Sequence, residues 1–238
     1  VAGAELRDAG AGRACLKRPA GRCSEFSEPC RGRPMRGRYR ASRVKVERTQ
    51  MRRIIVWNLM TLDGCFEGAT PWDLDFHNLA WGPELERLSL RQAEEGDLLV
   101  FGRRTYEGMA AYWTTAEDTS EITAFMHGVA KLVASRTLKE ASWNNSRVVG
   151  EPVAELTRLK AGPGKAMLIF GSAELTASLL QAGLVDEMRI CIVPVLLGAG
   201  NPLFKPAPRR TLLKLLGSET TEAGSVILRY APERRPAS

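Results

Sequence analysis

The sequence predicts an α/β fold: a central, mostly parallel sheet flanked by helices, ending in a C-terminal antiparallel hairpin. Three observations carry this. Short apolar runs such as Leu98-Leu99-Val100-Phe101 and Met167-Leu168-Ile169-Phe170 lack alternation and read as strands buried on both faces. Segments of helical period separate such runs, which implies parallel crossovers. The last two strands behave differently: Val226, Leu228 and Tyr230 share one face while Arg229 points away, as in a half-covered hairpin.

Taken in order, residues 53–59 form the opening strand, which runs into a loop turned at Asp63-Gly64. Residues 69–82 are irregular and dense in aromatics and carboxylates. Residues 83–95 are helical, since Pro83 suits a first turn and Leu85, Leu88 and Gln92 trace one side. Residues 97–101 form a strand broken by Gly102, with a helix from Thr105 or Tyr106 behind it. A helix over 117–128, short strands at 131–135 and 147–149, and a helix over 151–160 follow. Strand 166–170, Gly171 and helix 173–181 repeat the strand–glycine–helix design, with Ser172 placed to cap the helix. Strand 188–193, a long loop, and strands 212–216 and 226–230 joined through 217–224 complete the chain.

Composition bounds the function. The chain has 238 residues, with 44% hydrophobic and 26% charged content, ordinary for a globular protein. No apolar run approaches the roughly 20 residues that span a bilayer, and no signal-like segment opens the chain. These features point to a cytoplasmic protein that does not engage membranes. The formal net charge is +7, yet residues 1–50 alone carry +8 and the remainder −1. That leader is rich in Arg, Gly, Ala and Pro and buries too little to order itself. It reads either as a basic arm for nucleic acid or as a dispensable extension begun upstream of the true start; Met51, at the first convincing strand, favours the second. The expected domain covers residues 51–233, followed by a tail at 234–238, and it offers nucleic acid no basic surface. Cys15, Cys23 and Cys30 are too widely spaced for a metal clasp, Cys191 reads as a core residue, and with only two histidines no zinc site is expected.

The two strand–glycine–helix turns carry the chemistry. Gly102, Arg103, Arg104 and Thr105 put a cationic pair and a hydroxyl at the mouth of a helix, where free N–H groups and the helix dipole favour phosphate. Arg103 and Arg104 are adjacent, so one is expected to face solvent. Gly171, Ser172, Ala173, Glu174 and Leu175 make a second such mouth, and two in one small chain favour a dinucleotide.

With Thr61-Leu62-Asp63-Gly64, Gly102 to Glu107, Ser135-Arg136, Gly171-Ser172 and the loop from Pro194 to Phe204, the chain resembles the dihydrofolate reductase-like superfamily. It is most similar there to stand-alone relatives of the riboflavin-biosynthesis reductase domain. The resemblance covers about residues 51–232. It implies NADPH, with the two glycine turns flanking the pyrophosphate and Ser135 and Arg136 at the 2′-phosphate. A dianionic phosphate suits a guanidinium fork and a hydroxyl, where a ribose diol prefers a carboxylate. It also implies reduction of a small planar heterocycle, pterin-like or pyrimidine-like, of the 5-amino-6-(5-phosphoribosylamino)uracil reductase type, by a homodimer. Asp63 and Asp75 are then the candidate catalytic acids, and Trp72, Gly200 and Phe204 the candidate substrate contacts. No counterpart of the basic residues that grip a ribosyl phosphate is visible. The competing reading is a nucleotide-binding module without turnover, whose sign would be an aromatic-lined pocket free of acids.

Overall fold

The computed structural model describes residues 51–233. The expectations for the leader and the tail lie outside the described residues. The described elements are β1 (Ile54–Thr61), β2 (Cys65–Glu67), α1 (Pro83–Glu95), β3 (Gly96–Gly102), α2 (Arg103–Trp113), α3 (Glu121–Gly128), β4 (Ala130–Ala134) and β5 (Ser146–Val149). They continue with α4 (Pro152–Lys160), β6 (Ala166–Phe170), α5 (Ala173–Gln181), β7 (Glu187–Val193), β8 (Asn201–Pro202), β9 (Leu213–Thr220) and β10 (Val226–Pro232).

The main sheet runs in the order β5-β4-β3-β6-β1-β7-β10-β9. Every pairing from β5 to β7 is parallel, and β10 and β9 close it antiparallel. The fold class is therefore the expected one, a dihydrofolate reductase-like sheet with a C-terminal hairpin. Alternation along β1 divides the core between two helix layers. Ile54 and Val56 pack with Leu156 of α4 and Leu179 of α5. On the other face Ile55 packs with Tyr106 of α2 and Met126 of α3, while Trp57 and Leu59 pack against Leu85 and Leu88 of α1.

Four local expectations are corrected. Helix α2 begins at Arg103, directly after the strand. Helix α3 begins only at Glu121, because Asp118 accepts from the Ser120 N–H and the Ser120 hydroxyl accepts from the Thr123 N–H, fixing the start. Strand β9 continues through Gly217 to Thr220, and the hairpin turns at Thr221–Ser225, where Gly224 takes φ +80°. The first loop and the 194–204 loop are not wholly irregular: β2 and β8 pair as a two-stranded ribbon. Between β2 and α1 the chain makes one 3-10 turn, Asp75–Leu79, and seats Phe76 in the core.

The two ends of the sheet differ. At the amino ends of the parallel strands the charges are paired. Arg52 meets Asp97, Lys160 meets Asp186, and Arg53 meets both Glu95 and Glu187. Buried Glu187 also accepts from Arg189 at 2.8 Å and Arg229 at 2.7 Å, residues that stand opposite each other on β7 and β10. Burial pushes this carboxyl up, but the two guanidinium groups outweigh it and hold it at about 2.

Candidate functional site

At the carboxyl ends of β1, β3, β4 and β6 lies a cleft of about 1390 Å³. Such a position, where parallel strands diverge in connection, is where open α/β sheets bind ligands. The volume exceeds the roughly 300–1,000 Å³ of a single small-molecule pocket, leaving room for a cofactor and a second molecule.

The two glycine turns meet here and clasp each other. The Gly102 N–H donates to the Ser172 hydroxyl at 2.9 Å, which donates on to the Phe170 carbonyl at 3.1 Å. The Ser172 N–H donates to the Thr105 hydroxyl at 3.1 Å. Gly171 and Ser172 are both left-handed, and a Cβ on Gly171 would stand 2.9 Å from the Thr105 methyl. Ser172 therefore does not cap α5, contrary to expectation, because its left-handed backbone turns the hydroxyl back across the strand ends. Neither α2 nor α5 has a side-chain cap, so the N–H groups of both first turns remain available to an anion. Gly102, Arg103, Arg104 and Thr105 line the cleft with Gly171 through Leu175.

Arg103 and Arg104 both line this cleft, and both are exposed. Arg103 is held by Glu107 at 2.7 Å and Thr137 at 2.8 Å, whereas Arg104 has no ion-pair partner among the described residues. Ser135 and Arg136 lie at the same end, after β4. The Ser135 hydroxyl accepts from the Leu138 N–H at 2.9 Å, and Arg136 faces Glu151 at 3.2 Å with both side chains largely exposed.

The other wall is built from segments far apart in sequence. Trp57 and Leu59 of β1 form its floor, and Glu86 and Ser89 of α1 one side. The β2–α1 segment contributes Trp72, Leu74, His77 and Trp81. Trp72 adopts φ +66°, a conformation costly for a bulky side chain, and its N–H donates to Glu67 at 2.7 Å. Its indole lies on α2, where a Cβ at Gly108 would stand 2.2 Å from the ring. His77 is mostly buried with Nε2 unpaired, and burial pulls its imidazole down to about 4, so it is neutral at physiological pH. Asn58, also in the wall, is buried with its Nδ2 unpaired. From the 194–204 loop and just beyond, Lys205 reaches the cleft, donating to Asn201, which donates to Glu67 at 2.8 Å.

Of the substrate contacts expected from sequence, Trp72 lines this cleft and Gly200 and Phe204 do not. Gly200 is packed on the β2 ribbon, 2.7 Å from the Glu67 carbonyl at its Cβ position, and Phe204 projects outward beside the buried plug Leu203. Asp63 and Asp75 also lie outside the cleft lining. The Asp63 carboxylate accepts from the Thr61 hydroxyl and from the Gly198 N–H at 2.8 Å, bonds that hold it below the usual carboxylate range. Asp75 opens the 3-10 turn and is exposed. Asn58, Glu86 and Lys205 escape the sequence reading. For Glu86 and Ser89 a signal existed: they flank the Leu85–Leu88 stripe of α1.

The family model of the RibD C-terminal domain matches residues 52–227. The uncharacterized protein YyaP of Bacillus subtilis (strain 168) is 30% identical over 187 residues, which cover 76% of this chain and 95% of that one. A putative riboflavin biosynthesis protein from Shewanella sp. PV-4 superposes with a TM-score of 0.64 at 24% identity, over 76% of this chain and 99% of the other. Dihydrofolate reductase from Enterococcus faecalis, solved with NADP(H), gives a TM-score of 0.51 at 14% identity, over 76% and 97%. The last two are likenesses of fold.

Proposed function

The chain belongs to the RibD C-terminal domain family, and from that premise we propose that it is an NADPH-dependent reductase of a small planar heterocycle. The observation that carries this reading is the clasped pair of uncapped helix mouths with three arginines beside them. The clasp uses side-chain oxygens to fix the turns and leaves helical N–H groups free, which fits a pyrophosphate. Arg104, with no ion-pair partner among the described residues, and Arg136, with an exposed partner, are the cations free to take phosphate oxygens.

When bound, NADPH supplies the hydride. The chain's own residues position the acceptor ring and manage a proton. Trp57 and Trp81 offer flat apolar surfaces for the ring, and Leu59 an aliphatic one. Glu86 replaces Asp63 and Asp75 as the candidate acid: it lines the cleft and is exposed at its rim, so it can carry a proton in from water. Neutral His77 can donate a hydrogen bond without adding charge. The reading as a binding module without turnover called for an acid-free pocket, and Glu86 argues against it.

Titration of the full-length chain with NADPH and NADH, by calorimetry, tests the cofactor. Arg136→Ala should weaken NADPH about tenfold and NADH hardly at all, a difference of roughly 1.4 kcal/mol. Equal weakening would remove Arg136 from the 2′-phosphate, and no binding of either by the unaltered chain would remove the reductase reading. The same reading includes a homodimer: β9 leaves Leu213 and Leu215 40% and 53% exposed, a surface that a second copy can cover. Sedimentation at micromolar concentration decides this, and a monomer refutes it.

A further inference from the structure

The paired charges at the amino end of the sheet leave donors unspent. A second cavity, of about 290 Å³, opens there between α1 and the β9–β10 hairpin. Its floor is one row across three strands: Arg189 of β7 stands opposite Arg229 of β10, which stands opposite Gly217 of β9. Residues directly opposed share a face of the sheet, here the face on which Ile227 packs with Leu88 of α1. Gly217 ends the row without a side chain, and a Cβ there would meet nothing within 4 Å, so the space above the hairpin is open. Arg91 lines it from α1 and Glu219 from β9.

The three arginines are used unequally. Buried Arg189 spends its Nε–H on Glu187 and an N–H from each terminal nitrogen on Glu95. Arg229 spends only its Nε–H, on Glu187 at 2.7 Å. That bond fixes the guanidinium plane and leaves both terminal nitrogens without a partner among the described residues, a fork suited to two oxygens. Arg91 is exposed and has no hydrogen bond or ion pair among the described residues. Glu95 and Glu187 are each held by Arg53 and Arg189. Guanidinium groups therefore outnumber carboxylates here, Arg53, Arg91, Arg189 and Arg229 against Glu95, Glu187 and Glu219.

We propose that this cavity is a second ligand site, which takes a phosphate group on Arg91 and Arg229. It stands apart from the cleft at the other end of the strands and does not depend on the reductase reading. Its volume falls just below the roughly 300–1,000 Å³ of small-molecule pockets, which suits a phosphate or a small phosphomonoester and not a dinucleotide. The donors come from two directions, helix and hairpin. A carboxylate would be used up by the Arg229 fork, whereas the further oxygens of a phosphate can reach Arg91 as well. The bound anion ties the hairpin to α1, the helix that carries Glu86 and Ser89 to the cleft.

Calorimetry on the full-length chain at fixed ionic strength, with inorganic phosphate, ribose 5-phosphate and acetate, tests the site. Phosphate should bind about fivefold or more tightly than acetate, and Arg91→Gln should remove that preference. Glu219→Gln should tighten phosphate about twofold by removing the opposing charge, and Arg104→Gln, in the cleft, should leave this binding unchanged. Neither Arg91 nor Glu219 has an ion-pair partner among the described residues, so both variants should melt in chloride as the unaltered chain does. Tighter binding of ribose 5-phosphate, with the same dependence on Arg91, supports the site and makes its ligand a phosphomonoester; weaker binding supports it with free phosphate. No phosphate binding, or acetate bound as tightly, overturns the proposal. Binding lost in Arg104→Gln and kept in Arg91→Gln also overturns it, placing the anion in the cleft.

Discussion

The amino end of the sheet and its carboxyl end are built from similar residues put to opposite uses. At the amino end, buried charges meet: Glu187 is shared by Arg53, Arg189 and Arg229, and Arg52 and Lys160 each find a carboxylate. At the carboxyl end the ion pairs are exposed ones, Arg103 with Glu107 and Arg136 with Glu151. Arg104 has no ion-pair partner among the described residues, Asn58 and His77 keep unpaired nitrogens, and Trp72 holds a strained backbone. Buried polar groups without partners cost stability unless a ligand completes them. Gln92 and Ser146, at the amino ends of β3 and β5, also keep unpaired polar atoms, so the difference teaches that what sets the two ends apart is the buried, paired charge that only one of them holds.

Substitutions can break the comparison, the largest effect first. Glu187→Gln strips the shared carboxylate from three guanidinium groups and should cost about 3–5 kcal/mol in denaturant unfolding, with NADPH affinity kept. A loss under about 1 kcal/mol would mean that the paired end is not the stabilising one. Gly171→Ala forces a Cβ into a left-handed turn against Thr105, at roughly 1–2 kcal/mol of backbone cost. Here the larger effect should fall on NADPH, weakened at least tenfold, and an unchanged affinity would detach the clasp from the cofactor.

Acid separates the two ends without mutation. As pH falls from 6.5 to about 4, the unfolded chain protonates His77 while the folded chain resists, so stability declines in that window. Glu187 acts lower: its contribution is complete above about 4.5 and drains away as pH falls towards 2. His77→Phe should remove the upper decline in melting temperature and leave the lower one. A profile identical to the unaltered chain would show that His77 is not sheltered.

The fold was legible because burial on both faces writes itself as uninterrupted apolar runs, which gave β6 its observed bounds, while the glycine turn before it marked the start of α5. The wall made by the two glycine turns was legible too, since Gly102 to Thr105 and Gly171-Ser172 each lie contiguously in the sequence. The other wall was legible only at Trp72. Glu86, His77 and Phe125 come from three separate segments, of which α1 and α3 pack together. Asp63 drew attention as an acid beside glycine, yet its carboxylate ties two loops. Ser172 has the composition of a helix cap, but a positive φ, which composition does not encode, turned it to a different task.

The position of β1 has a consequence for how the chain is made. Its neighbours β6 and β7 arrive late: the Ile54 N–H is satisfied by Asp186, 132 residues further along. During synthesis Ile54, Ile55 and Val56 emerge long before anything can shelter them. Local helices cannot substitute, because pairings of such long sequence separation must close a large loop before they stabilise anything. The nascent chain therefore carries its stickiest strand unprotected until most of the domain has been translated, and its folding should depend on holding aggregation off for that interval.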